Sequence, residues 1–575
     1  AQQITFIANS SLLQRRRGIL VYGEGAAGAP ALRFWNGTGF DAESSANSVG
    51  GTIEWLRTKN SPSRDEQIIV TATSTDDVAV QINGTLPGTN TICWHNGTTC
   101  NEALNLTPAS TTINRLKTDV AYETTGEEAI VVWSDNDATP QYQVWNGTSW
   151  SLNQTIPQTL INGGVISYLK MAPHPFREEI TLIMSNTSAL NILVWNGTAW
   201  GCEPSSLTST VLITTEYQHA DLAYEQSSGD LFIVSSVTVG ATEFDYTTKQ
   251  DGSCSYTTAR SSGIQEDTET LTLSPRYESN HILIGIHTPT GNDMDSYVWT
   301  GNGFGTINTG DNVIYSTAIP NLLISAGWAG TSDHGVIVYS DAATSLNIDY
   351  FRYNVSTNTW EGGTTGLDAV GLTAFSDEEQ NIKSYSYIEE NRTLILIQDD
   401  LDDLWAKTYD GETNTWLQPD GGVNLSDNVA STSFPAFDFE FNYDRAGPSI
   451  TKIAPINYVN SSDVLLNVST GENAASCTYN VDGGATQSMS SSIIKNFLST
   501  ASSLSSGIHN VSFTCEDVWE NSRTTEQFLF VVDTTFPVLD FTTPTENNGT
   551  IIERSWVFVN LSVTELNEAN ITFTL

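Results

Sequence analysis

Few residues in this chain have the types and spacing that chemistry needs. The seven histidines, at positions 95, 174, 219, 281, 287, 334 and 509, never form the His-x-x-His or His-Glu-x-x-His spacing of a zinc site. His281 and His287 are close enough to share one strand face, but a structural role is expected for both. The stretch "QDDLDDLW" gathers Asp399, Asp400, Asp402 and Asp403, a weak candidate for Ca²⁺, yet it lacks the glycine and spaced ligands of an EF-hand loop. A structural Ca²⁺ is therefore the only cofactor suggested. No nucleophile elbow, phosphate loop or dinucleotide fingerprint stands in a suitable context, so no catalytic residue is named. Carboxylate pairs drawn from distant repeats leave no trace in sequence, which keeps an extracellular hydrolase as a remote alternative.

A different chemistry is abundant. Asn-x-Ser/Thr occurs at Asn9, Asn36, Asn83, Asn96, Asn105, Asn146, Asn153, Asn186, Asn196, Asn354, Asn391, Asn424, Asn460, Asn467, Asn510, Asn548, Asn560 and Asn570, each an acceptor sequence for N-linked glycan. With a start at Ala1 and an even number of cysteines, these acceptors point to an exported, glycosylated protein at the cell surface. No apolar run is long enough to span a bilayer. The formal charge of −43, from 66 acidic against 23 basic residues, argues against nucleic acid as a partner.

The elements that position these groups repeat. Short β-branched runs recur about every 50 residues: "GILVYGEG", "QIIVTATS", "AIVVWSDN", "ITLIMSNT", "LFIVSSVT", "HILIGIHT", "GVIVYSDA" and "TLILIQDD". A preceding strand such as "DVAYE" or "DLAYE" and a following aromatic hairpin complete units of four antiparallel strands. The fold class is therefore all-β, with an eight-bladed β-propeller over residues 1–445. A solenoid or a string of sandwiches is the other architecture considered. "PAFDFEFNYD" reads as a first strand with no second strand after it, and "QITFIANSS" (3–11) is the candidate to close the ring with it.

The hairpins "RFWNGTGF", "QVWNGTSW", "ILVWNGTAW" and "YVWTGNGF" hold two aromatics five residues apart. Asn-Gly between strands predicts a two-residue type I′ turn, with Trp145 facing Thr148 and with Trp145 and Trp150 diagonal on one face. Paired aromatics can stack on sugars, but packing against the neighbouring blade is the expected use. In "ICWHNGTTC" the same turn would set Cys93 opposite Cys100 as a disulfide. Cys202 with Cys254, between blades, and Cys477 with Cys515 complete the pairing.

After about Ala446 the period ends. Residues 446–534 read as a small Ig-like β-sandwich. Residues 535–575, with expected strands "VLDFTT", "WVFVNLSVTE" and "ITFTL", read as a partial module, continued beyond this chain or completed by a neighbouring subunit. "HNVSFTCEDVWENS" followed by "VVDTTFPV" resembles the Ig-like modules of archaeal surface proteins. The blade hairpins "YNVSTNTW" and "YDGETNTW" are distantly similar to kelch repeats without their double glycine. The Ig-like resemblance implies an archaeal cell-surface glycoprotein of an S-layer, sheath or extracellular filament. The expected function is accordingly structural and non-enzymatic, with copies of itself and N-linked glycans as partners and no membrane span within this chain. An adhesin or glycan-binding receptor is the alternative.

Overall fold

The computed structural model describes most of residues 18–574. The longer stretches left out are 108–116, 205–217, 237–243, 261–269, 313–322, 369–378, 430–435 and 442–447. Two compact units, residues 1–443 and 444–575, are described separately.

In the first unit, sheet 1 joins both ends of the repeat array. It pairs Phe437–Phe441 with Gly18–Tyr22, then Ala31–Trp35 and Ser44–Ser45. Seven further antiparallel sheets follow among the described residues, and each meanders outward from a leading strand. The leading strands of sheets 2 to 8 are Ile53–Asn60, Thr118–Tyr122, Ile166–Pro173, Ala220–Tyr224, Thr270–Pro275, Ile324–Trp328 and Glu379–Tyr387. Each leading strand touches the next, and Glu379–Tyr387 touches Phe437–Phe441. The strands thus close a ring, and radial sheets around a ring are a β-propeller.

The β-branched runs become second strands because their residues meet a neighbouring sheet on either face. Ile68, Ile69 and Val70 are fully buried, as are Ile130, Val131 and Val132. Ring closure follows a route only half expected from sequence. The partner of Phe437–Phe441 is the run at Gly18–Tyr22 itself, while residues 3–11 lie outside the described residues. Gly18 is required there, since a Cβ would fall 2.4 Å from the Phe439 ring.

In the second unit, Ile450–Ala454, Val464–Thr470, Asn496–Ala501 and Ser490–Ile493 form one sheet. A second sheet contains Phe528–Val532, Gly507–Asp517 and Ala474–Val481. Their shared core includes Val464, Leu466, Val468, Phe497, Phe513 and Phe530, around the Cys477–Cys515 disulfide. Cys477 and Cys515 face each other in register. Beyond it, Val538–Thr542 pairs with Asn560–Thr564 in a sheet of two strands among the described residues. The third strand expected at "ITFTL" is not formed among the described residues, nor does Trp556 belong to the second.

Candidate functional site

The repeated hairpins differ from the expected turn. Trp145 pairs directly with Trp150, so the loop is the four residues Asn146–Gly147–Thr148–Ser149. A type I′ turn needs positive φ at both central residues, but only Gly147 has it (φ 85). Asn146 instead folds the loop with its side chain. Its Oδ1 accepts hydrogen bonds from Thr148 N (3.0 Å), Thr148 Oγ1 (2.8 Å) and Ser149 N (2.9 Å), an Asx turn. The same cage recurs at Asn96 and Asn196. The register changes accordingly at the first disulfide: His95, not Cys93, pairs with Cys100, and Cys93 reaches Cys100 across the diagonal with Cα atoms 5.8 Å apart.

The aromatic pairs are joints between sheets. Trp145, Trp195 and Trp299 are 0, 4 and 6% exposed, and each donates its indole N–H to a carboxylate of the preceding sheet. The acceptors are Glu66 (2.9 Å), Glu123 (2.8 Å) and Glu225 (2.7 Å). At the tips, Trp150 donates to the Asn96 carbonyl and Trp360 to that of Thr306, again one sheet back. Burial pushes the Glu123 carboxyl up to about 7, against the Trp195 hydrogen bond. The junction of sheets 4 and 5 is built differently. Lys249 occupies the tryptophan position, 3.9 Å from Glu179, and the Cys202–Cys254 disulfide and the pair His174–Asp251 (3.1 Å) fasten the contact.

The densest polar cluster lies on the leading strands, around the centre of the ring. Equivalent positions from sheet 1 to sheet 8 read Asp438, Arg57, Asp119, Lys170, Asp221, Thr272, Ser325 and Lys383. Acids and cations alternate except at the neutral step Thr272–Ser325. Each acid reaches back to a cation and forward to a backbone N–H. Asp119 lies 3.7 Å from Arg57 and accepts from Met171 N at 2.8 Å. Asp221 lies 2.5 Å from Lys170 and accepts from Leu273 N at 2.9 Å. Asp438 lies 3.4 Å from Lys383 and 4.0 Å from Arg57, and accepts from Thr58 N at 3.0 Å. Ser325 Oγ keeps the forward bond, from Ser384 N at 2.8 Å.

This ring was legible only at a period of two repeats. Leading strands of odd-numbered sheets all have five residues, whereas those of even-numbered sheets have eight, eight, six and nine. The sequence echo "DVAYE" and "DLAYE", from sheets 3 and 5, was the available signal. Electrostatically the ring is self-neutralising. Burial opposes the charged form of Asp438, but Lys383, Arg57 and Lys59 together hold its pKa down near 2. Burial pushes Lys383 down to about 7 despite Asp438. Asp119, with Arg57 as its close cation, is held up by burial. Lys59 and Glu440, 2.6 Å apart and about a third exposed, add a further pair between sheets 2 and 1.

The other sequence candidates are scattered. Asp399 is buried and caps its own loop, accepting from Leu401 N, Asp403 N and the Trp405 indole. Asp400 lies outside the described residues, and among those described no three acidic, histidine or cysteine side chains gather as metal ligands. His281 immediately precedes the strand Ile282–Thr288 and His287 lies near that strand's far end; burial pushes His287 down to about 4. Of the acceptor asparagines, Asn36, Asn146 and Asn196 stand exposed at hairpin tips, Asn186 is fully buried, and Asn9 and Asn570 lie outside the described residues. Asn96, Asn105, Asn391 and Asn424 bond their amide nitrogens to Glu102, Asp77, Glu412 and Asp427. All six cysteines are paired, and no helix among the described residues is long and apolar enough to cross a membrane.

No protein-family model and no curated protein matches this chain. Solved structures give distant likenesses. AofleA from Arthrobotrys oligospora is 10% identical over 67% of this chain and 96% of its own, with a TM-score of 0.33. The dihydro-heme d1 dehydrogenase NirN is 11% identical over 75% and 76%, with a TM-score of 0.42. The fucose-recognising six-bladed lectin of Aleuria aurantia is 13% identical over 55% and 97%, with a TM-score of 0.28. At these values the likenesses carry no argument about this chain, whose architecture rests on its own strand pairing.

Proposed function

We propose that this chain is a non-catalytic, N-glycosylated scaffold of the cell exterior, an eight-bladed propeller with Ig-like modules that assembles with copies of itself, as in archaeal surface glycoproteins. The observation that carries this reading is the use of the polar side chains that gather in the propeller. The three axial acids, whose convergence a hydrolase would exploit, each face a cation and a backbone N–H from neighbouring sheets. Trp145, Trp195 and Trp299 are likewise bonded across sheet junctions. Charges engaged in this way hold blades in register, and none of these three carboxylates is left unpaired to move a proton. Electron microscopy of the purified protein, with and without Ca²⁺, tests the reading. Filaments or ordered sheets are the expected result, and monodisperse single particles at every concentration would overturn it.

Glycan binding is the second reading, favoured by the hairpin tips. Trp150 and Trp360 are only partly buried, which leaves part of each side chain accessible to a sugar. Saturable binding on a glycan array, lost in Trp150→Ala and Trp360→Ala, would move the assignment to an adhesin.

A further inference from the structure

The propeller's acceptor sequences are not equivalent once folded. N-glycosylation needs the Asn Nδ2 to reach the anomeric carbon of an activated sugar, so the nitrogen must be exposed and not already held by an acceptor. Asn146 and Asn196 meet both conditions. Each is exposed at a hairpin tip, and among the described residues each side chain bonds only through its Oδ1, which receives the loop N–H groups and the hydroxyl of Thr148 or Thr198. The Asx cage therefore fixes the carboxamide plane with its nitrogen turned outward, in the same way on the neighbouring sheets 3 and 4.

Asn96 has the same cage but the opposite outcome. Its Nδ2 donates to Glu102 Oε2 at 3.1 Å, the Trp150 indole covers its carbonyl, and the Cys93–Cys100 disulfide closes the hairpin. Asn105 Nδ2 donates to Asp77 at 3.1 Å. Asn186 is fully buried. A carboxylate partner is the strongest competitor for an amide N–H, because charge-assisted hydrogen bonds are about twice as strong as neutral ones.

We propose that Asn146 and Asn196 are acceptors that the folded propeller offers to an N-glycosyltransferase, and that Asn96, Asn105 and Asn186 are closed to it. The donor is a sugar carried on a lipid-linked phosphate or pyrophosphate. Nδ2 forms the new bond to C1, the C1–O bond to phosphorus-bound oxygen breaks with its electron pair leaving on the phosphate, and the amide proton passes to a base of the transferase. Because no acceptor sequence lies between Asn196 and Asn354, sheets 5 and 6 carry none, and the sugar coat covers one arc of the ring.

The assignment rests on the glycosylated-exterior reading, and one experiment separates the two. The full unglycosylated chain, folded or reduced and unfolded, is incubated with an oligosaccharyltransferase and its lipid-linked donor, and occupancy is read by glycopeptide mass spectrometry. The folded chain should be modified at Asn146 and Asn196 and not at Asn96, Asn105 or Asn186, while the unfolded chain is modified at all five. Glu102→Ala should open Asn96 in the folded chain, and Thr148→Val should close Asn146. Modification of folded Asn96 or Asn186, or folded Asn146 and Asn196 left bare while the unfolded chain reacts, would overturn the assignment alone. Failure of the unfolded chain to react at any acceptor would count against the glycosylated reading as well.

Discussion

Two strand groups in this protein pose the same physical problem and meet it differently. In sheet 1, Gly18–Tyr22 and Ala31–Trp35 form an apolar hairpin that cannot bury itself. Phe437–Phe441 covers its open edge from the far end of the repeat array. As a result Leu20, Tyr22, Phe437 and Phe439 are fully buried. In the second unit, Val538–Thr542 pairs, among the described residues, only with Asn560–Thr564, and Leu539 and Phe541 stay 59 and 65% exposed. The preceding sandwich shows what such a pair needs. Ile450–Ala454 pairs with Val464–Thr470 in the same antiparallel way, but Asn496–Ala501 extends that sheet and a second sheet faces it, so Val464, Leu466 and Val468 are fully buried. Local pattern makes strands pair; only partners from elsewhere turn a pair into a core.

The strongest way to break the closed case is at Asp438. It contacts Lys383, Arg57, Tyr385 and the Thr58 N–H from the sheets on both sides of the closing strand. Asp438→Ala leaves buried Lys383 without its carboxylate and Arg57 with Asp119 alone, and breaking a buried pair in this way typically costs about 3–5 kcal/mol. Denaturant unfolding should show that loss. The same substitution should raise hydrogen exchange in Gly18–Tyr22 and Phe437–Phe441 more than elsewhere in the ring. Acid tests the contact in the unaltered chain. Because the folded pKa of Asp438 is held below its unfolded value, the stability it contributes is present above about pH 4 and lost as pH falls toward about 2.

Sheet junctions away from the closure should respond with opposite sign. Burial raises the Glu123 carboxyl to about 7 in the folded state, so its protonated form is the one the fold prefers. That contribution is complete below the unfolded value and is lost as pH rises through 7. Glu123→Gln keeps an acceptor for the Trp195 indole while removing the charge. It should stabilise the protein by about 1–2 kcal/mol at pH 8, allowing for partial solvent screening, and change little at pH 4. Thermal melts at the two pH values check this. An equal gain at both would show that ionisation is not the cause.

The legible and illegible parts of this protein divide along the same line. Repeats and second strands followed from local apolar patterning and could be read directly, and the Cys477–Cys515 pair followed as the last of three cysteine pairs. The hairpin register could not, because Asn-Gly alone does not distinguish an Asn in the left-handed region from one that caps the loop through its Oδ1. The axial ring was hidden for another reason. Arg57, Lys170 and Lys383 lie in unlike sequences, and their equivalence appears only when leading strands from successive repeats stand side by side. The partner of "PAFDFEFNYD" was expected at "QITFIANSS" and is found at Gly18–Tyr22, because pairing across more than four hundred residues leaves no local mark.

The neutral step at Thr272 and Ser325 lets the ring's role be sharpened by completing it. Thr272→Lys with Ser325→Asp would supply the missing cation and acid at the equivalent positions. If the ring sets register and is not a main source of stability, the double variant should unfold within about 1 kcal/mol of the parent, since a new buried pair roughly offsets its desolvation. Each single change should cost more than the double, because it buries one unpaired charge.

The smallest effect is expected in the open strand pair, and it bears most directly on the comparison. Phe439 is fully buried against Phe441, Tyr385 and Phe40, so Phe439→Ser removes a filled site and should cost several kcal/mol, on the order of 3–5. Phe541 is 65% exposed, and its ring has no such enclosure among the described residues. Phe541→Ser should leave unfolding of the isolated chain within about 0.5 kcal/mol of the parent. A large loss at Phe541 in dilute solution would mean that this face is already covered within one chain. A loss that grows with protein concentration would instead identify a second copy as its cover, because stability gained through association depends on concentration.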